Sequence, residues 1–281
     1  MNPDRPGGPQ KGPAGRDEIL PPSVYDADYY LSEAVEGHAL WLRGEMSALR
    51  GKHLALLAPA PGMDLLEIGF ARGELLRECA LAGARCTGLD YSPDACAIAR
   101  GTLDAAGAAA VLVRGDCRAL PFPDASFDRV FAGDVIEHLA WTGGVRLLAE
   151  MGRVLRPGGF LLLHTTPNRT FHRRVWPALR PLLRLWNPGL VRGMDGQFAV
   201  MDRVHLCEHT PAMLRRAARA AGLPPRRTRV WTDPDLLRGG EHRLTESLGK
   251  SPLFRAAAAV AALPPLLPLL GNDLYLRHDK P

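Results

Sequence analysis

The sequence predicts an α/β fold built on a parallel sheet, and three observations carry that prediction. Apolar runs of strand length alternate with stretches of helical periodicity from Met63 to Thr165. Small residues gather at one strand-to-helix turn, Gly69-Phe-Ala71-Arg-Gly73. Four consecutive strand patterns finish at small or acidic residues, Gly69, Asp90, Asp116 and Asp134, which lines one sheet edge with polar groups. In open α/β sheets that edge is where ligands bind.

The elements follow in order. In Asp64-Leu-Leu-Glu-Ile-Gly-Phe-Ala-Arg-Gly-Glu-Leu-Leu76, Leu65, Leu66 and Ile68 read as a buried parallel strand over 64–69, and a helix follows over 74–83. The small residues between them let backbone N–H groups and a helix N-terminus approach an anionic or polar ligand. A second strand over 85–90 ends at Asp90, 21 residues past Gly69, a position suited to hydrogen bonds with a ribose diol. Ser92-Pro93 opens a helix over 93–107 as N-cap and first helical residue, with Asp94 complementing the dipole. Strands over 111–115 and 128–134, a helix over 143–155 and a strand over 159–165 complete the series. Arg156-Pro-Gly-Gly159 stops the last helix and turns the chain.

Taken together, Glu67-Ile-Gly69-x-Ala71-x-Gly73, Gly88-Leu-Asp90-Tyr-Ser, Gly115-Asp116-Cys-Arg-Ala-Leu-Pro-Phe122, Ser126-Phe-Asp128, Val135-Ile-Glu-His-Leu139 and Arg153-Val-Leu-Arg-Pro-Gly-Gly-Phe160 resemble a class I S-adenosylmethionine-dependent methyltransferase. The chain is most similar to the small-molecule and lipid methyltransferases that include the ubiquinone and menaquinone enzymes, over roughly residues 25 to 235. The resemblance implies a single Rossmann-like, doubly wound, mostly parallel seven-stranded sheet with a helical N-terminal segment and an inserted cap. Two further strands are then expected near 226–231 and 273–277, the final one antiparallel. Ala71 departs from the pattern, since the family usually carries glycine there.

The resemblance also implies roles. S-adenosyl-L-methionine is the expected cofactor, cradled by Gly69, Ala71 and Gly73. Asp90 is suited to both ribose hydroxyls because a carboxylate has two acceptor oxygens, and Tyr91 follows it. Asp116 and the Cys117 backbone N–H are assigned to the adenine, Glu67 to the amino end, and Asp134 to the amino end or the acceptor. Tyr29 or Tyr30, in the preceding segment, is expected to close the sulfonium pocket, where an electron-rich ring face favours a cation. His138 and His205 are the candidate general bases, needed only where the acceptor atom is a poor nucleophile.

Composition fits this reading. A chain of 281 residues buries a sizeable core, and its net charge of +5 permits an anionic partner without demanding one. The five cysteines form no C-x-x-C pair and no metal-ligand spacing, as expected of reduced packing residues in a cytoplasmic protein. His205, Glu208 and His209 lack the helical context of a metal motif, so no metal is expected. Residues 1–22 read as a disordered tail without a signal h-region, 23–62 as the helical N-terminal segment, and 63–281 as the methyltransferase core.

The acceptor is expected to be chosen by a cap insert over 167–203. From Thr165 to Met194 it holds no acid, while Arg169, Arg173, Arg174, Arg180, Arg184 and Arg192 alternate with leucines and tryptophans. Such a stretch reads as a surface for a lipid acceptor or for peripheral contact with the inner face of an anionic membrane. Pro177 and Pro181 are expected to limit it to short helical pieces. A second apolar segment, 253–271, is apolar throughout from Ala256 to Leu270, and those residues, interrupted by Pro264, Pro265 and Pro268, are too few and too broken to span a bilayer. Three other readings fare worse. A nicotinamide dehydrogenase would need G-x-G-x-x-G. A nucleic-acid methyltransferase would carry Asn- or Asp-Pro-Pro-aromatic, and a non-catalytic cofactor-binding subunit would have lost the acids that are intact here.

Overall fold

Seven strands, β1 (Asp64–Ile68), β2 (Arg85–Asp90), β3 (Ala110–Arg114), β4 (Phe127–Gly133), β5 (Leu155–Thr165), β6 (Thr228–Asp233) and β7 (Asp273–Asp279), form one sheet in the order β3-β2-β1-β4-β5-β7-β6. The computed structural model describes residues 19–32, 35–233 and 266–281. β1 to β5 run parallel, and β7 lies antiparallel between β5 and β6. Strand order reverses between β1 and β4, the position at which open α/β sheets bind ligands.

Alternation along the strands makes two cores. Leu66, Ile68, Val130, Ala132, Leu161 and Leu163 pack with Leu147, Leu148 and Met151 of α6 (Trp141–Val154) and with Leu214 and Ala217 of α9 (Pro211–Ala220). Leu65, Phe131 and Leu162 face the other way, against Leu57 of α3 (Ala48–Leu57), Leu75 and Leu76 of α4 (Glu74–Leu81) and Leu103 of α5 (Pro93–Ala106). Successive side chains of a strand point to opposite faces, so adjacent leucines serve different cores.

Capping follows the sequence signals. Ser92 Oγ accepts from the N–H groups of Asp94 and Ala95, and Thr210 caps α9 ahead of Pro211. α6 starts at Trp141, two residues before its expected start, because Gly143 and Gly144 belong inside it: a Cβ on Gly144 would lie 2.9 Å from Ile136 Cγ1. β5 likewise begins at Leu155 and contains Arg156-Pro-Gly-Gly159. The far end of the chain supplies the partners, since Lys280 Nζ donates to Leu155 O and the Gly158 N–H donates to Lys280 O.

Three expectations need correction. The N-terminal segment, whose apolar spacing over 24–57 reads as one or two helices, holds three short α-helices among its described residues, α1 (Ala27–Tyr30), α2 (His38–Trp41) and α3. Residues 1–18 lie outside the described residues, but Ile19 pairs with Leu139 and Leu20 is buried, so the tail expected over 1–22 does not extend to its stated end. Pro181 sits inside α7 (Trp176–Trp186), an unbroken helix of 11 residues. Pro177 lies in its first turn, and Trp176 anchors it in a small core with Val191, Met194 and Phe198. Those three residues belong to α8 (Pro188–Val204).

Most of the apolar stretch expected over 253–271 lies outside the described residues. Its end forms α10 (Leu267–Leu270), held by Asn168 Nδ2, which donates to the carbonyls of Pro268 and Gly271, each at 2.9 Å. Among the described residues no helix is long and apolar enough to cross a membrane.

Candidate active site

The turn after β1 is built from alternating left-handed residues. Gly69, Ala71 and Gly73 have φ of 73°, 49° and 78°, so the small residues seen in the sequence occupy the positions where a large side chain would be strained. Gly69 is required twice over, because a Cβ there would lie 2.3 Å from Val135 Cγ2. Gly73 is the N-cap of α4 and makes no side-chain cap bond.

Two acids flank this turn. Asp90, at the end of β2, accepts from the Ala71 N–H at 3.1 Å and the Ser92 N–H at 2.9 Å. Burial pushes its carboxyl up to about 6, with those N–H bonds opposing. Glu67, near the end of β1, is almost wholly buried, and its Oε2 has no hydrogen-bond partner. Burial raises it to about 8 against the pull of Arg50.

Asp116 is held by Arg118. Arg118 engages both carboxylate oxygens, Nε at 3.0 Å from each and a guanidinium nitrogen at 2.7 Å from Oδ2, and the Arg118 backbone N–H adds a bond at 2.8 Å. Burial opposes ionisation here, but Arg118 prevails and lowers the pKa. Cys117 beside it is buried, and its thiol is pushed up to about 12.

At the end of β4, Asp134 adopts a left-handed φ of 54°. Its Oδ1 lies 3.1 Å from His164 Nδ1, and the opposite ring nitrogen lies 3.0 Å from Asp273 Oδ1. Although burial disfavours the charge, these two carboxylates raise His164 to about 10, so it stays an imidazolium. That cation and Arg50 hold Asp134 far below the usual carboxylate range despite burial.

The candidate bases meet. His138, in the 3₁₀ turn Ile136–His138, has its ring 4.9 Å from that of His205, which directly follows α8. His138 Nδ1 lies 3.2 Å from Val204 O and 3.0 Å from the Tyr25 hydroxyl. A carbonyl only accepts, so Nδ1 is assigned the proton and Nε2 the lone pair. Burial holds His138 down at about 4, hence neutral near pH 7. Glu137 beside it accepts from Thr165 Oγ1 at 2.7 Å, and burial, followed by Asp134, raises it well above the ordinary range.

Ligand-type atoms of Glu137, His138 and His205 lie within 4.8 Å of one another. The trio weighed from sequence, His205 with Glu208 and His209, does not assemble, because Glu208 is bound by His172 at 2.6 Å and by Arg173 at 2.9 Å.

Of the two tyrosines expected to close the sulfonium pocket, Tyr30 hydrogen-bonds with Asp90. Tyr29, whose ring meets Tyr25 and Tyr30 edge-on, feels the charges of Glu137 and Asp134. Tyr91 is partly buried beyond Asp90, its carbonyl 3.5 Å from Arg114 Nε.

Sequence reasoning missed two arginines. Arg50 of α3 is buried among Glu67, Glu74, Asp134 and Glu36. Arg72, within the turn itself, is fully buried, pairs with Glu74 and donates to the carbonyls of Tyr30, Val35 and Glu36 at 3.2, 3.4 and 2.5 Å. An arginine between two left-handed small residues was the available signal for the second. The first, on an otherwise unremarked helix, left none.

Comparison with known proteins agrees with this fold. Residues 66–163 match the family model described as methyltransferase domain. The demethylmenaquinone methyltransferase of Thermus thermophilus is 30% identical over 175 residues, 58% of this chain and 74% of that protein. The fatty-acid O-methyltransferase of Mycolicibacterium smegmatis is 35% identical over 173 residues, 57% of this chain and 60% of that protein. Of several further curated relatives the chain spans only about half the length. In structure it resembles phosphoethanolamine N-methyltransferase 2 of Haemonchus contortus in complex with S-adenosyl-L-methionine, with TM-score 0.55 and 18% identity, covering 83% of this chain and 52% of that one. The chain belongs to the class I S-adenosylmethionine-dependent methyltransferases of small molecules, with S-adenosyl-L-methionine as cofactor.

Proposed function

We propose that this methyltransferase moves the methyl group by in-line displacement to an O, N or C atom of a small, lipid-like acceptor, which it meets at the inner face of an anionic membrane. The residues fit the cofactor. Glu67 offers a buried carboxylate oxygen without a partner to the ammonium of the amino end. Asp90, already oriented by Ala71 and Ser92, offers its remaining acceptor capacity to the ribose hydroxyls. Cys117, following Asp116, presents its backbone N–H to the adenine, while Asp116 serves that edge together with Arg118.

S-adenosyl-L-methionine supplies a methyl group already activated on a sulfonium, so the protein's work is to hold, align and exclude water. Tyr29 and Asp134 border the place of transfer. His138, neutral and with Nε2 free to accept, takes the proton of a hydroxyl acceptor, and His205 stands beside it as the second candidate.

The observation that carries the acceptor class is the continuity of α8 with the site. This helix of the Arg- and Leu-rich cap ends at Val204, whose carbonyl binds His138, and the next residue is His205. What the cap holds is therefore held against the candidate bases. The similarity to a fatty-acid methyltransferase supports a lipid-like acceptor. A cell extract split into lipid and aqueous fractions and incubated with labelled S-adenosyl-L-methionine tests the proposal. Label is expected in a small lipid-fraction product; label confined to RNA or to aqueous metabolites overturns it.

A further inference from the structure

We infer that the outward face of α7 is an anchor that lies in the surface of an anionic bilayer. This deepens the lipid-acceptor reading and rests on it only in explaining why the anchor is built on the cap. α7 has two apolar faces. One, with Trp176 buried and Leu183 partly so, packs on the cap core. The other is open: Leu179, Leu182, Leu185 and Trp186 are 40%, 68%, 87% and 53% exposed. At 3.6 residues per turn these four span an arc of about 120°. Leu269, on α10, is also exposed, and that helix packs against the Phe171–Val175 turn leading into α7.

Charge selects the occupant. Arg174, Arg184 and Arg192 are exposed on the cap that carries this arc, and no acid occurs from Thr165 to Met194. The two aspartates of α8 are already engaged, Asp195 by Arg180 and Trp176, and Asp202 by Arg173. A second copy docking on the same face would bring these arginines against their own kind. Anionic headgroups would neutralise them while the leucines enter the acyl boundary and Trp186 sits at the polar interface.

The test is flotation of the full chain with vesicles of phosphatidylcholine containing about one third phosphatidylglycerol, against vesicles of phosphatidylcholine alone. Binding is expected only to the anionic vesicles, weakening in high salt, with a blue shift of fluorescence that Trp186→Phe removes. The pair Leu182→Glu and Leu185→Glu is expected to weaken binding at least tenfold (about 1.4 kcal/mol per factor of ten), and Arg184→Gln about fivefold. Leu81→Glu, on exposed α4 surface, is the control and should leave binding unchanged. Unaltered titration with S-adenosyl-L-methionine confirms that the double variant folds. No binding to anionic vesicles, equal binding to neutral ones, or a double variant that alters only the oligomeric state in sedimentation overturns the inference. Vesicle binding is read without turnover, so a failed acceptor assignment leaves the anchor standing, and failed vesicle binding removes the membrane encounter while leaving methyl transfer to a lipid-like acceptor standing.

Discussion

Asp90 accepts a hydrogen bond from the Ala71 N–H, which ties the end of β2 to the turn that follows β1. That one bond joins the proposed ribose acid to the proposed cofactor cradle, and it sets the first expectation. Asp90→Ala should weaken S-adenosyl-L-methionine binding about 10- to 150-fold, the worth of a hydrogen bond to a charged group (about 1.5–3 kcal/mol), as read by isothermal titration. A loss of twofold or less would remove Asp90 from the site.

Ala71 itself carries strain. Its left-handed φ of 49° costs an L-residue about 1–2 kcal/mol, whereas glycine adopts it freely but loses about 0.4–1 kcal/mol through its more flexible unfolded chain. Ala71→Gly should therefore raise the melting temperature slightly, and Ala71→Val should lower it by several degrees. A destabilised glycine variant would contradict the assigned backbone conformation.

Glu67 makes stability depend on pH in a definite direction. Its folded pKa of about 8 lies above the ~4.3 of an unfolded glutamate, so the folded chain holds the extra proton between those values. The contribution is fully present below the lower value and is lost as pH rises through the upper one. Glu67→Gln should accordingly gain on the wild type in thermal denaturation as pH increases from 6 to about 8.5. Binding of the cofactor's ammonium favours the ionised carboxylate, so titrations below pH 8 in buffers of differing ionisation heat should show proton release.

Arg50 is a buried cation set among four acids. Arg50→Met leaves Glu36, Glu67, Glu74 and Asp134 without it and should cost about 3–5 kcal/mol of stability, measured by denaturant unfolding. Adding Glu67→Gln should restore part of that loss. Additive effects would show that the two groups do not interact.

His138 should leave no titration limb near pH 6.5 in the rate profile, because burial holds it at about 4. For a hydroxyl acceptor, His138→Ala should lower kcat about 10²- to 10⁴-fold with cofactor affinity intact. Lost cofactor binding would point to a structural role.

The sheet was legible because its apolar runs, capping residues and strand-end acids act locally: Ser92-Pro93 folds as read. Asp90, at the end of β2, lies against the turn after β1, in keeping with its spacing from Gly69. Pro181 was misread because its penalty is local while the anchoring of Trp176 in the cap core is not. The pairing of Asp116 with Arg118 was on the page as neighbouring residues, but whether a carboxylate turns inward or to its neighbour is settled by packing. Arg50, His164 and Asp273 come from three distant segments and matter only once they meet.

The place of β7 has a consequence for synthesis. Because it stands between β5 and β6, the residues of β6 leave the ribosome with no neighbour in the sheet and must wait for Asp273–Asp279 to be translated before either can be stitched in. Until then β5 offers a bare, apolar margin, so a stalled or prematurely terminated chain would hold its first five strands yet be prone to self-association through that margin.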